Sequence, residues 1–228
     1  MLTYTNLDTF ISTLLSKEIL FAIKLSLITA TIATILSVII GVPAAYAISH
    51  AEFPGKDIVD TILDLPIIIS PIALGAAVLV FFNTPIGAAI ENSGMVFVFE
   101  VAGIVLAQFT VVSALAIRLM KSTFDSISPR YEEIARTLVK VTLPLAKNGL
   151  LAACVLTWAR AVGEFGATVM LAGATEMKTE TLPVAIFLSL ATADVEKAIA
   201  VIFILICIAI VALIIIRKIG GGSLQVII

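Results

Sequence analysis

The chain has 228 residues, 61% of them hydrophobic and 13% charged, with a formal net charge of −2. A soluble domain is about half apolar and about a quarter charged, and one this oily would expose large apolar patches, so the composition excludes an ordinary soluble domain and implies an integral membrane protein. The charge gives no footing for nucleic-acid binding, and Cys154 and Cys207 both fall in apolar runs, where packing roles are expected rather than a disulfide or a metal pair.

In chain order, residues 1–18 are mixed in character, with Leu7, Phe10, Leu14 and Leu15 at helical spacing. They are expected to form an N-terminal interfacial segment ahead of a transmembrane domain over 19–228. The first basic residue is Lys17, so no positive region precedes the first apolar run, which is expected to target the chain and stay. That run, Ile19 to Ile48, exceeds a ~30 Å hydrocarbon core and carries Gly41 and Pro43 near its end. A second span is expected over Ile62–Phe82, bent by Pro66 and Pro71. Asp60 and Asp64 share a face at its start and read as solvated or cap-like, or as lying near a partner contact.

Turn signals fill Asn83–Val96. A third span is expected over Val98–Met120 and a fourth over Gly149–Ala172, with a polar stretch at 121–148 between them. The segment Val184–Ala193 is too short to cross and reads as re-entrant or interfacial, and a fifth span over Ala198–Ile216 closes on Arg217 and Lys218. The fold class expected is all-α: a polytopic transmembrane helical bundle of about five spans.

Basic residues set the expected orientation. Lys56, Arg118, Lys121, Arg130, Arg136, Lys140, Lys147, Arg217 and Lys218, nine in all, collect on one side, and Lys17, Lys24, Lys178 and Lys197, four, on the other. The nine-residue side should be cytoplasmic, with the N-terminus outside and the C-terminus inside.

Chemistry is sparse. His50 is the single histidine, and Gly55-Lys56 lacks the earlier glycine and following hydroxyl of a phosphate-binding loop, since His50 and Asp57 stand there. No nucleophile–base constellation is readable. The chain is expected not to be an enzyme and to bind no metal, cofactor or ATP itself.

Three features stand out. Within "SPRYEEIARTLVKVTLPLAKN", Ser128-Pro129 is a helix start, and Tyr131, Ile134, Ala135, Leu138 and Val141 form an apolar stripe. Glu132 and Arg136 can pair on another face, and Leu143-Pro144 ends the helix and redirects the chain. The segment reads either as a plain connector helix or as a surface for another protein. Arg160 and Glu164 lie one turn apart within the fourth span, Arg160 about 16 Å beyond its start. A charge at that depth is tolerated facing a bundle interior or a water-filled cavity, so the pair reads as structural or as bordering a pathway. Ala159, Gly163 and Ala167 would form a small-residue ridge admitting a neighbouring helix.

"EIARTL" followed by "VTLPLA" resembles the Glu-Ala-Ala loop of permease subunits of ABC importers of the type I fold. Glu133, Ile134 and Ala135 stand at the triplet and Leu143 and Pro144 at its closing pair, while Val139 replaces a glycine and the spacing between the two is shorter than the family's. "FPGKDIVDTILDLPIIISPIALG", "FFNTPIG", "WARAVGEFGATVMLAG" and "TETLPVAIF" are similar to the molybdate/tungstate branch of oxyanion permeases. The resemblance implies a coupling loop at about 121–148, with Tyr131, Glu133, Ile134, Ala135, Arg136, Leu138, Leu143 and Pro144 docking on an ATPase. It implies a homodimer in the cell membrane with two ATP-binding subunits that carry ATP and Mg²⁺, and an extracytoplasmic oxyanion-binding protein. Arg160 and Glu164 would border the pathway. A sulfate/thiosulfate permease is the alternative within the same mechanism, and an ion-driven secondary transporter the alternative outside it.

Overall fold

The computed structural model describes residues 13–51, 54–127 and 142–219, and every described element is a helix. Helix α1 (Lys17–His50) starts where the Ser16 side chain accepts from the Ile19 N–H at 3.3 Å and Glu18 sits in the positive first turn. It runs unbroken through Pro43. At Gly41 it passes close to the next-but-one span: a Cβ there would stand 3.3 Å from the Met120 sulfur.

The second apolar region is two helices. Helix α2 (Lys56–Ile68) and helix α3 (Pro71–Phe82) meet at 105°. Pro66 sits inside α2 without stopping it, whereas Pro71 forces its predecessor, Ser70, into an extended conformation (ψ 132°), and the helix ends there. The single bent span expected over Ile62–Phe82 is therefore corrected to a sharp break at Ile69-Ser70. The turn-rich connector holds a short helix, α4 (Pro85–Asn92), capped by the Thr84 hydroxyl on the Gly87 N–H. Helix α5 (Val101–Asp125) is the central element, packed along α1, and buries Ile104, Gln108, Val112, Ala116 and Met120 at spacings of four.

Helix α6 (Leu143–Val162) begins with Pro144 in its first turn, where a missing N–H costs nothing, so the fourth span opens at Leu143 rather than at Gly149. It does not reach Ala172 unbroken: helix α7 (Gly166–Ala172) leaves at 56° to it after a break at 163–165. Helix α8 (Leu182–Ala191) is the short apolar segment, and helix α9 (Val195–Ile219) ends on Arg217 and Lys218 at its negative pole. By length and composition, α1, α5 and α9 can each cross a membrane, and the total among the described residues reaches five if each bent pair is one span.

Buried side chains form three main clusters along the bundle. Phe82, Val111, Val112, Val162 and Leu171 fill the middle. Ala45, Met120, Phe124 and Leu150 fill the end where α5 closes and α6 opens. Ile19, Leu182, Ala200 and Val201 fill the opposite end.

Candidate functional site

The break between α6 and α7 is built around one carboxylate. Helix α6 closes with the Gly163 N–H on the Ala159 carbonyl at 3.3 Å and the Glu164 N–H on the Ala161 carbonyl at 3.1 Å. Glu164 then serves both halves of the span. Its Oε1 accepts from the Ala167 N–H at 3.0 Å, in the first turn of α7, and its Oε2 accepts from Arg160 Nη1 at 2.7 Å, in the last turn of α6. The Ala161 carbonyl also accepts from Gln108 Nε2 of α5 at 3.0 Å, so a neighbouring helix satisfies backbone loosened by the break.

The pair is asymmetric: the Glu164 side chain is 1% exposed and that of Arg160 39%. Arg160 lies seventeen residues past Leu143, about 26 Å along α6. It therefore stands at the bend, not half way along an unbroken span as expected.

The ridge expected from Ala159, Gly163 and Ala167 does not form. These residues belong to two helices and the joint between them, because α6 ends at Val162, so they share no helical face. A close helix approach does occur, through a different glycine. A Cβ on Gly75 of α3 would lie 2.7 Å from the Ala167 Cα and 2.8 Å from its carbonyl oxygen, and one on Gly166 would meet Ile72 at 2.8 Å. The far halves of both bent spans thus pack backbone to backbone.

A second polar knot lies between α2 and the C-terminal half of α5. Arg118 of α5 binds the Asp64 carboxylate of α2 in a two-pronged contact, with Asp60 3.8 Å away. Asp60 and Asp64, expected to be solvated or cap-like, instead meet Arg118 and help hold α2 to the bundle alongside the apolar contacts of Val59 and Leu63. Ser49 of α1 and Lys121 both bind Asp125 at the end of α5, and Lys56 donates to the Ala51 carbonyl at 3.0 Å. The Phe124 ring meets Tyr46 edge-on at 5.6 Å. The last turn of α5 is therefore tied to α1, and Lys56 ties the end of α1 to the start of α2.

Of the residues expected to couple to another protein, Leu143 and Pro144 form the first turn of α6. Tyr131, Glu133, Ile134, Ala135, Arg136 and Leu138 lie outside the described residues. At the opposite end Lys197 binds Glu18 and lies 3.9 Å from the fully buried Glu180, and Ser26 Oγ accepts from the Leu182 N–H at 2.7 Å, fixing the start of α8. Sequence reasoning missed Gln108, Arg118, Gly75 and Glu180. For Gln108 and Glu180 the signal was present, as polar residues inside otherwise apolar or turn-rich stretches.

No family model matches the chain. Among curated proteins it is 35% identical over 213 residues to a probable molybdenum ABC transporter permease protein of Haloferax volcanii, covering 90% of this chain and 77% of that protein. It is 31% identical over 190 residues to the molybdenum transport system permease protein ModB of Escherichia coli K12, covering 78% and 83%. It is 34% identical over 187 residues to the sulfate transport system permease protein CysW of Synechococcus elongatus, covering 78% and 65%. Among solved structures, a bacterial alginate ABC transporter in complex with an alginate pentasaccharide-bound periplasmic protein superposes with a TM-score of 0.66 at 18% identity, over 98% of this chain and 84% of that one.

Proposed function

The chain belongs to the molybdenum-type permease proteins of ABC transporters, and from that premise we propose that it forms the transmembrane pathway of an ATP-driven importer of molybdate or tungstate. The observation that carries this reading is the 35% identity to a molybdenum permease over nine-tenths of the chain. As a permease subunit it is a multi-pass membrane protein and not itself an enzyme. Hydrolysis of ATP with Mg²⁺ belongs, on this reading, to two copies of a separate cytoplasmic subunit. An extracytoplasmic binding protein delivers the oxyanion, and two copies of this chain enclose the path.

The resemblance of 128–148 to the coupling loop supports a role for Tyr131, Glu133, Ile134, Ala135, Arg136, Leu138, Leu143 and Pro144 in gripping the ATPase. The anchoring of the α5 terminus by Asp125, Ser49 and Phe124 supports it too, because a loop that transmits force needs a fixed root. Arg160 and Glu164 lie at the pathway on this reading: a half-exposed guanidinium inside a span calls for water rather than lipid. The nine-to-four asymmetry of basic residues supports an outside N-terminus and an inside C-terminus.

A sulfate or thiosulfate permease is the second reading, favoured by the 34% identity to a sulfate permease. Reconstitution in proteoliposomes with the ATPase and binding protein tests both. ATP-dependent uptake of molybdate and tungstate that excess sulfate does not suppress is expected. Sulfate uptake with molybdate excluded would move the chain to the second reading, and uptake without any ATPase subunit would remove it from both.

A further inference from the structure

Helix α9 starts in the cluster opposite the one where α6 opens, so the two helices run antiparallel, and they pack on one another. Between them and α1 lies a groove of about 480 Å³, lined among others by Thr34 of α1, Cys154 and Trp158 of α6, and Ile208, Val211 and Ile215 of α9. Its walls are almost wholly apolar. The Trp158 indole N–H donates to the Thr31 hydroxyl at 3.1 Å, which leaves the ring as an apolar wall. Helix α9 is also the least buried of the three long helices, so its flank is open to the membrane.

Each long wall of the groove leads to a lysine. On α9, Ile208, Val211, Ile215 and Lys218 recur at spacings of three and four, and on α6, Lys147, Cys154 and Trp158 recur at seven and four, so each lysine shares a helix face with lining residues. Lys147 precedes Trp158 by eleven residues, and Lys218 follows Cys207, which also lines the groove, by eleven, about 16 Å along each helix. Because the helices are antiparallel, both lysines stand at the same rim. Both are exposed, and neither forms an ion pair among the described residues. From that rim to Trp158 the groove has about the depth of one leaflet, half of a ~30 Å hydrocarbon core. We propose that it holds an acyl chain of an anionic phospholipid whose headgroup phosphate lies between Lys147 and Lys218. On the proposed topology this is a lipid of the cytoplasmic leaflet.

Charge and walls together select this occupant. Water needs several polar partners to settle in a cavity, and these walls do not supply them. A zwitterionic lipid would fill the groove with the same chain, but only an anionic one brings net charge to the two lysines, and each basic residue near an anionic surface favours it about fivefold. A second copy of the chain is disfavoured there. A two-fold contact centred on the groove would set four lysines against one another at one rim. A lipid seated in this way joins the end of α9 to the first turns of α6, the helix that Leu143 and Pro144 open.

The test reads the fluorescence of Trp158, the single tryptophan, which lines the groove. The full chain is reconstituted in phosphatidylcholine vesicles that contain a minor fraction of phospholipid brominated toward its chain ends, bromine being a contact quencher. Brominated phosphatidylglycerol should quench at about one-fifth or less of the mole fraction that brominated phosphatidylcholine needs. Lys147→Gln with Lys218→Gln, both at exposed positions, should bring the two lipids level, whereas Lys24→Gln, at the opposite end of the bundle, should leave the preference intact. Equal quenching by the two lipids in the parent chain would show ordinary bilayer contact and overturn the proposal. A preference that survives the double lysine variant, or that Lys24→Gln removes as well, would overturn it too. Quenching by neither lipid would show the groove covered by protein and sink it equally. The measurement needs no ATPase, binding protein or oxyanion, so its outcome is separate from that of the transport reading.

Discussion

Glu164 does the work of two residues: one oxygen caps α7 and the other neutralises Arg160. Arg160→Ala would leave a fully buried carboxylate with its cap but without its cation, and stripping a partner from a buried acceptor costs about 1–3 kcal/mol. The double change Arg160→Gln with Glu164→Gln removes both charges and keeps an acceptor for the Ala167 N–H. It should therefore fold better than Arg160→Ala alone. Trp158 is the single tryptophan and its indole N–H bonds Thr31 at 3.1 Å, so its fluorescence during thermal unfolding in detergent reports this region directly. A double variant that unfolds below Arg160→Ala would contradict the account. If it folds yet transports nothing, Arg160 acts on the passing anion rather than on packing. The four-residue spacing made this pair legible in the sequence. The break between its members was legible only as the weak signal of Gly163, because the stop also depends on a buried Glu164 cap that only the folded chain supplies. Gln108 was visible as a polar residue in an apolar run, but its partner was not, since that carbonyl lies 53 residues away.

At the scale of helices, the apolar runs were legible as spans and their breaks were not. Pro66 and Pro71 were both expected to bend the second span, yet only Pro71 stops the helix, because it starts a new one and constrains Ser70. The fastening of α2 was hidden for a different reason: Arg118 and Asp64 are 54 residues apart, and nothing local marks them as partners. Arg118→Gln should release α2 from α5. Trypsin cleavage at Lys56, in the first turn of α2, should then speed up in detergent, and exchanging the charges with Asp64→Arg and Arg118→Asp should slow it again. Unchanged cleavage in the single variant would mean that the apolar contacts of Val59 and Leu63 hold α2 unaided. Gly75→Val belongs to the same scale. Its side chain would run into the Ala167 backbone, which cannot step aside as a flexible side chain could, so α3 and α7 must separate. Loss of transport and a lower unfolding temperature are expected, whereas Gly55→Ala at an open turn (φ 92°) should cost only about 1 kcal/mol of local strain.

For the whole molecule, the expected topology is tested with cysteines added to a background free of native thiols. One at Thr3 should react with an impermeant reagent from outside, and one at Glu132 should be protected; the reverse pattern would invert the chain and detach the ATPase assignment. Leu138→Asp should leave insertion intact but abolish ATPase binding or its stimulation by loaded binding protein, because an unpaired charge in an apolar groove costs several kcal/mol. Normal uptake by that variant would reduce 128–141 to a connector. The 105° joint between α2 and α3 has a mechanical consequence. Helix α2 is a stiff arm of 13 residues, about 20 Å long, hinged at Ile69-Ser70 and pinned near its middle by Arg118. A tilt of about 10° at such a hinge sweeps the free end, at Lys56, through ~3 Å. That end is bonded to the chain leaving α1, through Lys56 and the Ala51 carbonyl, so such a tilt would pull on the end of α1 as well.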